Sequence, residues 1–577
     1  MIDVIKGFSR LFDREQKKKV VLLFFMMIIG AVFEMLGVSL MLPLMTAIMN
    51  PDIIETNAVV AWVCSIFDLH SYRTFVVLCI LALIAVYIIK DSFLIFEYNM
   101  QYRFTFNNRF LVQRRLLHAY MQKDYEFYLS AKSGEILHVV QGDVGAVFGL
   151  FMTILFLATE SIVSIALIIT VFVVSPSMTI FVAVSLTLAI VIITKVVKPV
   201  LKREGVAFRE SDAMCNSWLM QSIQGIKEVK VTNTEKYFEQ NYEKSGLKML
   251  NSQKSEAVIN NVPRLIIEMT CVCSVLLAIA VMIMTGSEVE DVVPALGVFA
   301  MAAVKLMPSA NRIVGAMNAI SYQRPALDKL LETIDGMTDL DVKSAADREN
   351  FSSIDLEKVE MRRISYHYPS SDEMIFEDAS FTVNEGESIG IVGSSGAGKT
   401  TLVDILLGLL KPLAGDVYVN NQSIHDVYGN WLATIGYIPQ SIFMLDADVR
   451  SNVAFGESED KIDDERVWKA LRAAQMEEFV KKLPNGLDTG IGERGVRLSG
   501  GQRQRIGIAR ALYREPSLLI FDEATSALDN DTEAAIMEAI NTLKGEKTML
   551  IIAHRLTTIE ACDKIYRVKD GKIVRER

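Results

Sequence analysis

Cysteine is scarce in this sequence, and what there is forms no metal site. The six residues, Cys64, Cys79, Cys215, Cys271, Cys273 and Cys562, are scattered over 577 positions. Cys271 and Cys273 lie one residue apart in an apolar run, without the paired spacing that zinc requires, and all six read as free buried thiols. Charge is also short. Asp, Glu, Lys and Arg make up 22% of the chain against 51% hydrophobic residues, and the mean hydropathy is +0.30. That balance calls for membrane-spanning segments. The net charge is −10, and the acid is concentrated in the C-terminal third, which excludes nucleic acid as the main partner. A signal-peptide pattern is missing too. The first nineteen residues are charged, and the apolar segment after them is longer than a signal core, so it is expected to stay as an anchor.

What is present divides the chain in two. Six apolar stretches run over about residues 20–48, 74–100, 143–174, 177–197, 262–285 and 291–316, each long enough to cross a hydrocarbon core as a helix. Several are longer and are expected to continue past the bilayer. Lys and Arg set the orientation. Lys6, Arg10, Arg14, Lys17, Lys18 and Lys19 precede the first stretch, and the 101–142 and 198–258 connections are basic. The 50–73 connection holds only Arg73, the third connection is little more than "SPS", and the fifth, "GSEVED", is acidic. The N-terminus, both long connections and the C-terminal region therefore fall on the cytoplasmic side. The expected organisation is an all-α six-helix transmembrane domain over 1–325, a linker over 326–352 and an α/β nucleotide-binding domain over 353–577. "DYEFYLSAKSGEIL" (124–137) and "QSIQGIKEVKVTNTEKYFEQ" (221–240) break the helical pattern with Gly or Ser and set aromatics beside charges. They read as elbows on which the C-terminal domain docks.

The C-terminal region handles phosphate. "SIGIVG" (388–393) reads as a buried strand, "GSSGAGKT" (393–400) as a loop, and "TTLVDILLGLL" as a helix. Strand, loop and helix in that order make a P-loop. Gly393, Ser394, Ser395, Gly396, Ala397, Gly398, Lys399, Thr400 and Thr401 form the cradle. The glycines let backbone N–H groups turn onto phosphate oxygens, Lys399 reaches the β- and γ-phosphates, and Thr400 offers a hydroxyl to Mg²⁺. "SLLIFDE" (517–523) ends a second apolar strand in two acids. Asp522 is placed to hold Mg²⁺ through water, and Glu523 to polarise the attacking water. In "LSGGQRQR" (498–505), Ser499, Gly500, Gly501 and Gln502 open a helix and so form a second anion-binding terminus. Gln440, His554 and Tyr368 stand at strand ends, and Tyr368 is placed to stack on a base.

Taken in order, these segments resemble the ATP-binding cassette of ABC transporters over 353–577. "GSSGAGKT" is similar to its Walker A motif, "LLIFDE" to its Walker B and "LSGGQ" to its signature. Gln440 matches the Q-loop, "SALD" (526–529) the D-loop, His554 the switch histidine, Tyr368 the adenine-stacking residue and "TGIGERG" (489–495) the X-loop of exporters. The resemblance implies ATP as fuel, Mg²⁺ held by Thr400, Gln440 and Asp522, and hydrolysis by Glu523 with Gln440 and His554. It also implies that the signature of one cassette closes on the nucleotide of another. One cassette per chain then means a half-transporter, a homodimer or one arm of a heterodimer. A peptide-processing exporter would carry an N-terminal protease domain, for which there is no room before residue 20.

Lys90, Arg264, Lys305 and Arg312 are basic residues in or beside apolar stretches, where charge is costly and functional by default. "NVPRLIIE" and "KLMPSANRI" resemble segments of bacterial lipid-linked oligosaccharide flippases of the PglK type. That likeness implies a polyprenyl-pyrophosphate-linked glycan as cargo, four cations around its phosphates, and residence in the bacterial inner membrane. "AVVAWVCSIF" (58–67) reads as an outer helix on the membrane or gripping a lipid tail. A broader lipid or multidrug exporter, and an ATP-gated channel or scaffold that does not pump, remain as alternatives.

Overall fold

The computed structural model describes residues 2–39, 72–174, 176–284, 289–337, 351–369, 371–523, 537–538, 540–553 and 559–577. His554, the 526–529 segment and the 58–67 segment lie outside them. The chain forms two compact units, residues 1–123 with 130–342, and residues 124–129 with 343–577.

The first unit is helical: α1 (Ile2–Leu11), α2 (Arg14–Ser39), α3 (Tyr72–Met121), α5 (Ser133–Leu137), α6 (Val144–Val174), α7 (Pro176–Gln224), α8 (Ile226–Thr232), α9 (Glu235–Met284) and α10 (Val289–Asp335), with α4 (Tyr125–Ser130) between α3 and α5. Six of these helices have 26 to 50 residues and contain or overlap the apolar stretches. At 1.5 Å per residue, the longest reach about 75 Å, more than twice a hydrocarbon core. Among the described residues, Arg73–Met121 and Ser133–Ile165 are long and apolar enough to cross a membrane. Phe24, Phe25, Ile28 and Ile29 on α2, and Leu81, Ile84, Ile88 and Ile89 on α3, are exposed, a surface that suits lipid better than water. α2 packs on α3 and α6, α6 on α10, and α7 on α9 and α10. Gly205 permits the closest of these approaches, since a Cβ there would lie 2.0 Å from the Tyr322 carbonyl oxygen. A π-helical turn, His138–Asp143, joins α5 to α6. It carries Asp143 toward α7, where Arg209 grips the carboxylate with both fork nitrogens at 2.8–3.1 Å and His138 sits 2.9 Å from Asp212.

The second unit has two sheets. β1 (Lys358–Tyr366), β2 (Phe376–Asn384), β4 (Ala414–Val419) and β5 (Gln422–Ser423) form an antiparallel sheet in the order β2-β1-β4-β5. β3 (Ser388–Val392), β6 (Ile435–Ile438), β7 (Leu518–Asp522), β8 (Thr548–Ile552), β9 (Lys564–Lys569) and β10 (Lys572–Arg575) form the other, ordered β10-β9-β3-β8-β7-β6. Its strands are parallel except for the β9–β10 hairpin. "SIGIV", "LLIFD" and "TMLII" are buried at every position, as parallel strands covered on both faces must be. One core holds α11 (Lys399–Leu406), the antiparallel sheet and Trp431 of α12 (Tyr428–Thr434). The other holds α13 (Val449–Val453), α14 (Asp464–Ala473), α15 (Glu477–Lys481) and α16 (Gly500–Leu512).

The two expected elbows have different structures. Of 124–137, residues 124–129 belong to the second unit and α5 to the first. The 221–240 stretch breaks at Gly225, forms α8, and turns at Asn233, whose φ of 54° closes that helix in the left-handed region.

Candidate functional site

The site forms where three parallel strands end. β3 feeds the 393–398 loop, β7 ends in Asp522, and β6 leads to Gln440. Crevices at the carboxyl ends of parallel strands are where such sheets bind ligands. Two glycines have conformations that other residues resist: Gly396 at φ 80° and Gly398 at φ 95°. Gly398 also lacks space, since a Cβ there would lie 2.7 Å from Ile375 Cγ2. It caps α11, so the first helical N–H groups open onto the loop.

Lys399 is buried, and its ammonium donates to the carbonyls of Gly393 and Ser394, both at 3.2 Å. It also lies 3.7 Å from Glu523 Oε1. Gln440 Nε2 donates to Glu523 Oε2 at 2.9 Å. The structure thus brings Lys399, Gln440 and Glu523 together across three elements, with the Glu523 carboxylate between a cation and an amide. The backbone of Glu523 sits at φ 51°, a strained conformation for a non-glycine residue and one that recurs at functional sites. Its N–H is anchored on the Ile552 carbonyl of β8 at 3.0 Å.

Asp522 is buried, and its Oδ1 has no hydrogen-bond partner among the described atoms. Oδ2 accepts from the Tyr437 hydroxyl at 3.5 Å. Burial, then the Glu523 charge, push its carboxyl up to about 6. An orphaned, charge-stressed oxygen beside a phosphate cradle fits Mg²⁺, a hard cation taken up by one or two carboxylates together with phosphates. Thr400 is exposed at the start of α11, as a metal-facing hydroxyl must be. When bound, the cation supplies charge neutralisation at the transferring phosphate.

Tyr368 packs edge-on against Tyr366, with centroids 5.4 Å apart, and its hydroxyl contacts Thr401 Oγ1 at 2.9 Å. That contact fixes the ring beside the loop. Ser499 caps α16: its hydroxyl accepts from the Gln502 N–H at 3.3 Å, while Gln502 Oε1 accepts from the Ser499 N–H at 2.8 Å. An accepting hydroxyl keeps its own proton to donate, so Ser499 and the N–H groups of Gly500 and Gly501 remain able to bind an anion. Among the described residues, no hydrogen bond joins this turn to residues 393–401 of the same chain.

Sequence reasoning missed two neighbours of Asp522. Asp404, on α11, makes no side-chain hydrogen bond among the described residues, and burial and then Asp522 push it up to about 6. Tyr437, on β6, holds Asp522. No local signal in "TTLVDILLGLL" marks Asp404, whose carboxylate neighbour lies more than a hundred residues later.

Of the four membrane-half cations, the three with described side chains, Lys90, Arg264 and Arg312, are not gathered by polar contacts. Lys90 pairs with Asp91 at 3.2 Å and lies over the Tyr87 ring. Arg312 pairs with Glu160 of α6 at 2.9 Å. Arg264 is exposed on α9 and has no ion-pair partner among the described residues, Glu268 one turn on included. The Lys305 side chain lies outside the described residues. Glu160 was the missed element, an acid inside a stretch screened only for cations.

Comparisons with known proteins agree with this geometry. Residues 376–526 match the ABC transporter model, and residues 20–301 match the ABC transporter transmembrane region. The ATP-dependent lipid A-core flippase of Bordetella avium is 42% identical over 218 residues, 38% of this chain and 37% of the relative. An uncharacterized ABC transporter ATP-binding protein of Bacillus subtilis, YfiB, is 31% identical over 385 residues, 65% of each chain. The chain thus spans between about a third and two thirds of these relatives. A bacterial Atm1-family ABC exporter with ATP bound shares the fold, with a TM-score of 0.75 and 22% identity over 97% of this chain and 95% of that one. Cassettes of this kind use ATP with Mg²⁺. With an ABC transporter transmembrane region and an ABC transporter cassette both matched on one polypeptide, the chain belongs to the ABC transporters.

Proposed function

We infer that two copies of this chain form an ATP-driven exporter that moves a phosphate-bearing lipid across a bacterial plasma membrane, with the cassettes in the cytoplasm. The observation that carries the reading is the Lys399–Glu523–Gln440 constellation beside the orphaned Asp522 oxygen, on the same chain as the long apolar helices. Glu523 polarises the attacking water, Lys399 neutralises charge on the transferring phosphate, and Gln440 orients the Glu523 carboxylate. The Ser499 turn, with no hydrogen bond to residues 393–401 among the described residues, supports a dimer in which each copy completes the other's site, and two identical sites favour a homodimer over a heterodimer. Nucleotide bound between two cassettes then biases one of two membrane conformations.

For the cargo, Arg264 is the best support. An unpaired guanidinium on an apolar helix needs an anion or a wet cavity. A lipid phosphate supplies the anion, and the flippase name of the Bordetella relative points the same way. Within that class we favour a polyprenyl-pyrophosphate-linked oligosaccharide, on the likeness of the Arg264 and Arg312 segments. The Glu160–Arg312 pair favours a second reading, a broader lipid or multidrug exporter, because it neutralises one of the cations offered to the head group.

Proteoliposomes with a short-chain glycan pyrophospholipid separate the readings. Glu523→Gln is expected to bind ATP and stall flipping. Arg264→Gln is expected to abolish flipping while basal ATP hydrolysis persists. Flipping by Arg264→Gln at the wild-type rate rejects the phosphate reading, and ATPase stimulated by drugs and not by glycolipid selects the broader exporter.

A further inference from the structure

Where α2 begins beside the middle of α3, the first unit forms a half-open cavity of about 670 Å³, within the ordinary range for a small-ligand site. It is lined by two kinds of side chain. Leu22, Leu23 and Met100 belong to the apolar stretches, and Phe104 and Phe110 continue that surface along α3. Lys19, Arg103 and Arg114 add three cations. Arg103 and Phe110 are seven residues apart, and Arg114 follows four later, so all three lie on one face of α3.

The charges around the cavity do not cancel. Asp13 lines it but is occupied twice: it accepts from the Gln16 N–H at 2.9 Å, capping α2, and lies 3.5 Å from Arg115. Glu15 pairs with Lys18 at 3.3 Å. Lys19, Arg103 and Arg114 are exposed, and none has an ion-pair partner among the described residues. The uncompensated charge is therefore positive.

Depth identifies the ligand. Lys19 immediately precedes the apolar segment that starts at Val20, and Arg103 follows Met100 by three residues, where the second apolar stretch ends. Both stand at the cytoplasmic edge of the hydrocarbon core, with apolar lining on the membrane side. Arg114 lies about 16 Å further along α3, on the water side. Cations at the head-group level over an apolar floor match a lipid, phosphate outward and acyl chains inward; basic pockets between transmembrane helices on the cytoplasmic side take anionic head groups.

We propose that this cavity is a binding site for an anionic phospholipid of the cytoplasmic leaflet. Lys19 and Arg103 hold its phosphate, Arg114 meets the outer part of its head group, and Leu22, Leu23 and Met100 contact its chains. The lipid is a resident of the bilayer rather than cargo, so the site stands whether or not the proposed cargo is right. The binding ties α2 to α3 at the membrane surface.

The test uses the full chain in nanodiscs of phosphatidylcholine with phosphatidylglycerol, with retained lipid counted by native mass spectrometry. Wild type is expected to retain phosphatidylglycerol over phosphatidylcholine. Each of Lys19→Gln, Arg103→Gln and Arg114→Gln is expected to weaken retention about fivefold, and the triple variant about a hundredfold. Lys17→Gln removes the same charge from the same basic run but outside the cavity, and is expected to retain lipid as wild type does. All four side chains are exposed, and an unchanged circular dichroism spectrum confirms that each variant folds. Three outcomes overturn the proposal. The first is retention by the triple variant equal to wild type. The second is an equal loss in Lys17→Gln, which reduces the effect to general surface attraction. The third is displacement of phosphatidylglycerol by a glycan pyrophospholipid at low occupancy, which makes the cavity a cargo site.

Discussion

Asp404 gives a quantitative test of the electrostatics at the catalytic end of the cassette. Its carboxyl makes no side-chain hydrogen bond among the described residues and lies near Asp522, so burial and the second carboxylate raise it from 3.8 to about 6. A folded pKa above the unfolded value means that the folded state holds more protons between about pH 4 and about pH 6. Stability therefore falls as pH rises through that window, and the whole cost is present at neutral pH. A shift of about two units corresponds to ~3 kcal/mol at most. Partial solvent access reduces this to about 1–2 kcal/mol. Asp404→Asn keeps the shape and removes the charge. Without nucleotide or Mg²⁺ at about pH 7.5, it is expected to raise the cassette's melting transition by roughly 3–6 °C. Near pH 5 the gain is expected to shrink, because wild-type Asp404 is then largely protonated. Differential scanning calorimetry of the detergent-solubilised chain at both pH values reads the effect. Equal stability of variant and wild type at neutral pH, or a gain unchanged near pH 5, refutes the assignment of a strained carboxylate pair.

Three further substitutions test other supports. Gly398→Ala puts a Cβ 2.7 Å from Ile375 at φ 95°, and is expected to cost about 1–3 kcal/mol and to lower ATP affinity at least about tenfold in equilibrium binding. Arg510→Met strips donors from the Phe443 and Asn452 carbonyls, now contacted at 2.7 and 2.8 Å, and is expected to cost about 2 kcal/mol by thermal unfolding, with ATP affinity retained. Arg209→Lys replaces the two-pronged grip on buried Asp143 by a single point of contact, and is expected to lower the melting transition of the helical unit without rescuing the wild-type value.

The nucleotide site was legible because its chemistry is local. A cradle needs glycines at left-handed φ, a lysine and a hydroxyl in one loop, and a buried parallel strand announces itself as an apolar run such as "LLIFD". Six long apolar stretches likewise predict long helices, and composition alone stated their excess length. What stayed hidden depends on partners distant in sequence. Nothing in "TTLVDILLGLL" says that Asp404 faces a carboxylate more than a hundred residues later, and nothing in "NRIVGAM" says that Arg312 meets Glu160 on another helix. The cations in apolar stretches therefore divide by pairing rather than by residue type. Arg312 and Lys90 have carboxylate partners, whereas Arg264, Lys19, Arg103 and Arg114 have none among the described residues. Unpaired cations at a membrane surface are satisfied by lipid phosphate or by water, and a phospholipid, through its chains, also matches the apolar lining beside Lys19 and Arg103. On that argument the proposed resident-lipid site at Lys19 and Arg103 and the proposed cargo contact at Arg264 are separate sites, and neutralising one is expected to leave the other intact.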